Sequence, residues 1–250
     1  MYPRDPCLHE NDKIEYLENT ASLVIENFPQ KGSPEWHARR KQFICASEVG
    51  ALLGLDKYTS RKRLLETKKP DWVEKKKGDV LESYMHWGTC MECTALAAVD
   101  EFFFKTDGRE PCCRIENIVH GQNHRVCGTP DGITKEIGMF IPIEVKCPAH
   151  PSPELCKPYE TVDDIPLKYF AQIQTYIELL NAPHGYLVCW TMFNGMSIFV
   201  VHRNLCMFPR LVLPLIDSWV VGDLSPRVTK GEKNYHARML APNTFVEKIL

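Results

Sequence analysis

The sequence predicts an α/β fold on three observations. A helical periodicity spans Gly78 to Phe103, short β-rich runs fill Cys112 to Cys147, and a second helical face at 165–181 is followed by a strand pair. The chain has 250 residues, 44% hydrophobic and 25% charged, with a net charge of −2. That composition supplies a sizeable core and excludes a disordered or fibrous chain. No Gly/Ser-rich or Pro-rich linker divides it, so one elaborated domain at 33–250 is expected behind an acidic leader at 1–32.

The elements follow in order. Ser33 and Pro34 have the N-cap and N1 chemistry of a helix start, and Trp36 to Arg40 continue it. Ala46 to Gly54 reads as a second helix closed by glycine, and Thr59-Ser60 begin a third through Leu64, Leu65 and Lys68. From Gly78 to Phe103, the residues Leu81, Met85, Cys93, Leu96 and Val99 predict a long helix with one buried stripe. Strands are expected at 112–119, 125–128 and 139–147, with turns at Gly121, Pro130-Asp131-Gly132 and Gly138. On the helix that Pro183 ends, Phe170, Ile173, Ile177 and Leu180 make one face, while Tyr169, Gln172 and Tyr176 make another. A hairpin from 185–192 to 196–203 and a helix at 209–220 complete the order.

The N-terminus lacks the basic and apolar regions of a secretion signal. The uncharged stretch from Leu179 to His202 is broken by Asn181, Pro183, Gly185, Asn194 and Gly195, unlike a membrane span. The expected setting is intracellular, with no membrane partner and with the 11 cysteines as reduced thiols. Cys90 and Cys93 form one CxxC, but no second pair follows at zinc-finger spacing.

The net charge hides a dipolar chain. Residues 39–77 carry +7, against −4 before and −5 after. A basic segment of this kind suits a polyanionic partner, the alternative being a solvated helix face and loop.

The chemistry concentrates at Pro130-Asp131-Gly132 and Ile143-Glu144-Val145-Lys146. Side chains alternate on a strand, so Glu144 and Lys146 share a face. Hairpin geometry can bring Asp131 against Glu144, where two carboxylates and the Val145 carbonyl offer hard oxygen ligands for Mg²⁺. An ion so held, with Lys146 beside it, is a toolkit for phosphodiester hydrolysis. Taken alone, the pattern is also that of a bland Glu/Lys pair on a solvated strand. Glu92, one turn after Gly88, offers a third carboxylate where the glycine permits close approach by another backbone. Gln172 and Tyr176, at i and i+4, could hold a phosphate or a water.

Five ordered motifs accompany that pattern: Trp36-His37-Ala38-Arg39-Arg40 with Cys45 to Val49, Trp87-Gly88-x-x-x-Glu92, Thr129-Pro130-Asp131-Gly132, Ile143 to Pro148, and Tyr169-x-Ala171-Gln172-x-Gln174. In these the sequence resembles, from about Trp36 to Arg203, the lambda exonuclease or YqaJ-type viral recombinase family of PD-(D/E)xK nucleases. The resemblance implies a restriction-endonuclease-like core, a central mixed β-sheet flanked by helices with an N-terminal helical extension. The catalytic core would be 78–203, preceded by the basic helical segment 33–77 and followed by a C-terminal helix and tail at 204–250.

The activity implied is Mg²⁺-dependent digestion of one strand of linear double-stranded DNA from its 5′ end, with Mn²⁺ able to substitute. It leaves 3′ single strands for a single-strand annealing protein. Carried over by residue, Asp131, Glu144 and the Val145 carbonyl are metal ligands and Glu92 lies at or beside the metal. Lys146 assists the water, Gln172 is the active-site glutamine with Tyr176 on its helix, and Arg40, Ser47 and Thr129 hold the terminal 5′-phosphate. Family members often form rings. Thr129 stands where serine is often found and keeps the hydroxyl; Cys45 replaces a common threonine and loses a strong donor. The leader and the cysteine load suggest the nucleus or cytoplasm of a eukaryotic or virus-infected cell.

Two other readings share these residues, the first being another PD-(D/E)xK nuclease, RecB-like or an endonuclease. A RecB-like nuclease with an iron–sulfur cluster needs four converging thiolates, commonly closely spaced near the C-terminus, whereas Cys189 and Cys206 lie 17 apart. The other is an inactive DNA-end-binding protein.

Overall fold

The computed structural model describes residues 23–25, 33–73, 78–113, 118–120, 125–241 and 246–250. Most of the acidic leader, Lys75 to Lys77 of the basic run, and part of the strand expected at 112–119 lie outside them.

A short strand β1 (Leu23–Ile25) precedes helix α1 (Pro34–Arg40), whose first turn is closed by the Ser33 hydroxyl accepting from the Trp36 N–H at 3.1 Å. Strand β2 (Ile44–Cys45) runs directly into α2 (Ala46–Leu52), and α3 (Arg61–Thr67) is capped by Ser60. The described part of the basic segment is thus helices joined by loops, apart from β2, a strand that two residues are too few to reveal by alternation.

Helix α4 (Asp79–Asp107) ends four residues beyond Phe103, where its periodicity stopped. Its buried stripe is confined to the second half, at Ala95, Leu96, Val99 and Phe103, while Leu81 and Met85 are 53% and 49% exposed. The expected continuous stripe is corrected because the core cluster that α4 joins, with Ile133, Ile141, Ile143 and Tyr186, takes in only that second half.

After β3 (Ile118–His120) and β4 (Val126–Gly128) comes a hairpin of β5 (Gly132–Glu136) and β6 (Met139–Lys146), turning through Ile137 and Gly138 at φ 48° and 82°. Gly132, expected as turn punctuation, instead begins β5 opposite Ile143. Helix α5 (Leu167–Leu179) then crosses to β7 (His184–Thr191), which pairs parallel to β6, and β8 (Gly195–His202) returns antiparallel. One irregular turn at Phe208–Val212 leads into α6 (Leu213–Val221). The chain ends in α7 (Lys230–Met239) and β9 (Val246–Lys248), both unsignalled in the sequence.

The result is a five-stranded mixed sheet, β5-β6-β7-β8-β9, and a smaller sheet, β1-β3-β4-β2. Helix α5 is buried on both faces, Gln172, Gln174, Thr175, Tyr176 and Glu178 included, where simple amphipathicity was expected. Its second cover is α2, so close that a Cβ on Gly50 would lie 2.6 Å from Lys168 Cβ.

Part of the basic run is consumed by packing. Arg61 is buried and binds the Leu52 and Ser225 carbonyls and Glu232, tying α3 to α7. Lys68 is ion-paired to Glu48 at 2.5 Å. Lys57, Lys62, Arg63 and Lys69 remain exposed.

Candidate active site

The end of β6 and the middle of α5 make a polar cluster inside an otherwise apolar layer. Alternation on β6 points Ile143 and Val145 one way and Glu144 and Lys146 the other. On α5, Gln172 lies opposite the strand end and reaches both. Gln172 Nε2 donates to Glu144 Oε1 at 2.7 Å, and Lys146 Nζ donates to Gln172 Oε1 at 3.2 Å and to Glu144 Oε1. One turn on, the Tyr176 hydroxyl accepts from Gln172 Nε2 and donates to the Thr129 carbonyl, each at 3.1 Å. The β5–β6 register brings Asp131 across from Glu144, where Asp131 Oδ2 accepts from the Val145 N–H at 2.8 Å.

Glu144 is 2% exposed, and its second oxygen, Oε2, is buried without a hydrogen-bond partner. Burial, reinforced by the negative charges of Asp131 and Glu92 and partly offset by Lys146, pushes its carboxyl up to about 8. Burial acts to lower the Lys146 amine, but Glu144 and Asp131 outweigh it and raise it. The Tyr176 hydroxyl is raised well above its ordinary range by burial and by the same two acids.

An orphaned carboxylate oxygen beside a second carboxylate is a site short of positive charge, and oxygen donors fit a hard divalent cation. Asp131, Glu144 and the Val145 carbonyl could hold one. Glu92 acts on Glu144 through its charge, from the wall of a neighbouring cavity of about 370 Å³ that Val145, Lys146 and Tyr169 also line. Among the described residues, no three His, Cys, Asp or Glu side chains group as ligands, so the backbone carbonyl matters to the donor set. The reason given for Gly88 is corrected: among the described residues nothing lies within 4 Å of where its Cβ would be, so no described backbone outside its own helix approaches it.

On the other side lies a cavity of about 190 Å³ lined by Trp36, Arg40, Ser47, Thr129, Asp131 and Gln172, among others. The structure therefore gathers Arg40, Ser47 and Thr129, from α1, α2 and the loop after β4, beside the carboxylate cluster. The Arg40 guanidinium stacks over Trp36 at 4.4 Å, and its Nε donates to Cys45 Sγ at 3.2 Å. Glu48, one helical turn into α2, binds Lys68 and accepts from the Cys45 N–H at 2.8 Å.

Sequence reasoning gave no role to Trp36, Tyr169 or Cys127. Trp36 precedes Arg40 by one helical turn, a spacing that could have paired them. Tyr169 lies under the Lys146 ammonium at 4.6 Å, readable from its place one turn before Gln172. Cys127 meets Cys45 only through strand register. Gln174 of the glutamine motif is structural, bonding the His202 carbonyl and the Asn204 N–H at 2.6 and 2.9 Å.

Two solved structures share this architecture. LHK-Exo in complex with dAMP aligns at 19% identity and a TM-score of 0.56 over 84% of this chain and 98% of that one. The alkaline exonuclease LHK-Exo from Laribacter hongkongensis aligns at 18% identity and a TM-score of 0.51, over 85% and 94%. Likeness at these identities shows the fold, which is the PD-(D/E)xK type expected. No curated protein gives a significant sequence match. The profile of the YqaJ-like viral recombinase domain matches residues 35–181, from the helix of Arg40 through Asp131, Glu144 and Lys146 to the end of the Gln172 helix. Because that match spans more than half of its length, the chain belongs to the YqaJ-like viral recombinase domain family.

Proposed function

We propose that this chain is a Mg²⁺-dependent deoxyribonuclease that digests one strand of linear duplex DNA from the 5′ end and leaves 3′ single strands for an annealing partner. The observation that carries it is the partnerless Glu144 Oε2 beside Asp131, on the strand that also presents Lys146, next to a cavity built around Arg40. The alkaline exonuclease named among the structural neighbours and the family membership support the same reading.

Asp131, Glu144 and the Val145 carbonyl would hold Mg²⁺ or Mn²⁺, with Glu92 adding negative charge nearby. When bound, the ion polarises a phosphoryl oxygen and stabilises the charge that develops on it. Lys146 and Gln172 stand within hydrogen-bond reach of each other and of Glu144, and they orient the attacking water. Tyr176 holds Gln172 in place and ties it to the loop of Thr129 and Asp131. Arg40, Ser47 and Thr129 anchor the terminal phosphate; the guanidinium can meet two of its oxygens at once.

The test is linear duplex DNA labelled separately at each 5′ and 3′ end, incubated with Mg²⁺, with Ca²⁺ or with EDTA. Loss of 5′ label as mononucleotide in Mg²⁺ alone is expected. Cutting that persists in EDTA, or 3′ label released first, overturns the reading.

A further inference from the structure

Cys45 and Cys127 occupy paired positions on the parallel strands β2 and β4. Both are buried, at 3% and 5% exposure, and the Cys127 thiol donates to the Cys45 sulfur across 3.6 Å. Paired residues on neighbouring strands sit about 4.8 Å apart, inside the roughly 4.4–6.8 Å between Cα atoms that a disulfide accepts. The two sulfurs can therefore bond by side-chain rotation with little movement of the sheet. Both side chains line the cavity that holds Arg40, Ser47 and Thr129, which gives a small oxidant its way in. Cys45 Sγ is also the acceptor of Arg40 Nε. The atom that would enter a disulfide is thus one that aims the guanidinium.

We propose that Cys45 and Cys127 are a modification site for a hydroperoxide oxidant, and that closing their disulfide takes Cys45 from Arg40 and weakens the grip of this cavity on a 5′-phosphate. The effect on phosphate rests on the proposed function; the reactivity of the thiol pair rests on geometry alone. The hydrogen bond from Cys127 lowers the Cys45 thiol against the opposing effects of burial and of the Glu48 charge, with Lys68 and Arg40 adding to the lowering. That hydrogen bond and burial raise Cys127, so Cys45 is the attacking sulfur and Cys127 the resolving one.

The Cys45 thiolate attacks one oxygen of hydrogen peroxide and the O–O bond breaks. The departing hydroxide takes the proton given up by Cys45 and leaves as water. The Cys127 sulfur then displaces the oxygen of the Cys45 sulfenic acid, its proton leaves with that oxygen as a second water, and the S–S bond forms. Two thiols are oxidised by two electrons in all, and one peroxide is reduced to two waters. A free thiol such as glutathione reverses the bond by exchange.

The full chain is treated with hydrogen peroxide or with dithiothreitol, alkylated, digested and mapped by mass spectrometry for a Cys45–Cys127 cross-link. Binding of a fluorescent duplex carrying a 5′-phosphate or a 5′-hydroxyl is measured in EDTA on the same samples, so hydrolysis plays no part. The cross-link is expected only after peroxide, together with a loss of roughly tenfold in the preference for phosphate, the scale of one charge-assisted hydrogen bond. Dithiothreitol should restore both. Cys127→Ser and Cys127→Ala should show no change in preference on peroxide treatment. A missing cross-link overturns the proposal, and so does a cross-link that leaves the preference intact. If the reduced protein shows no preference for phosphate, the phosphate role of the cavity fails, and the proposed control fails with it while the cross-link data identify which part was wrong.

Discussion

Gln172 Nε2 donates to Glu144 Oε1 at 2.7 Å, which joins the buried helix α5 to the end of strand β6 at a buried carboxylate. Oε2 of the same carboxylate is buried without a hydrogen-bond partner, so Gln172 and Lys146 hold the glutamate through Oε1. An arrangement of this kind keeps a functional group ready at a cost to the empty protein.

Replacing that charge should separate function from stability. Glu144→Gln should abolish hydrolysis, as should Asp131→Ala and Lys146→Ala, because the three act as one unit. In EDTA, however, Glu144→Gln should melt higher than the unmodified chain, by about 2–4 °C if about 1 kcal/mol is recovered. The gain has a direction in pH. A carboxyl raised to about 8 penalises the fold once pH exceeds its ordinary value of 4.5, so the advantage of the variant should grow from pH about 5 to about 8. Calorimetric melting of both proteins across that range checks it, and a lower melting temperature for the variant at every pH would contradict it.

Metal affinity should follow the same proton. The raised carboxyl must lose its proton to act as a ligand, so Mn²⁺ binding should weaken by roughly tenfold per pH unit as pH falls from about 8 toward 6. Titration calorimetry in buffers of different ionisation enthalpy would show a proton released with each ion. Binding that is flat over this interval counts against Glu144 as the ligand.

Arg40→Ala should slow digestion of 5′-phosphorylated ends by roughly one to two powers of ten, one charge-assisted contact being worth about 1.5–3 kcal/mol. Digestion of 5′-hydroxyl ends should change little. Initial rates on both ends distinguish this from a purely structural role, in which the two would fall together.

Gly128→Ala should destabilise the chain and the site at once. A Cβ there would stand 2.6 Å from the Tyr176 ring, whose hydroxyl binds Gln172. Overpacking on this scale costs about 1–3 kcal/mol. Thermal melting should show the loss, and pairing the change with Tyr176→Ala, which frees the space, should recover part of it; strictly additive losses would refute the contact.

What the sequence determined by itself was local. Capping chemistry at Ser33 and Ser60 placed α1 and α3, periodicity placed α5, and period-2 alternation put Glu144 and Lys146 on one face of β6. These are properties of neighbours along the chain, and the i, i+4 spacing of Gln172 and Tyr176 belongs with them.

Tertiary structure decided what depends on distant segments meeting. Where the core lies stripped α4 of half its expected buried face, and Leu81 looks no different in sequence from Leu96. The approach of α2 at Gly50 buried the second face of α5. Strand register alone set Cys127 against Cys45, at a separation of 82 residues, and the fold decided that Arg61 and Lys68 of the basic run serve packing while Arg40 lines the cavity. A side chain's chemistry is written in the residue, but its partner, its burial and the energy of its charge come from whatever the fold brings within a few ångströms of it.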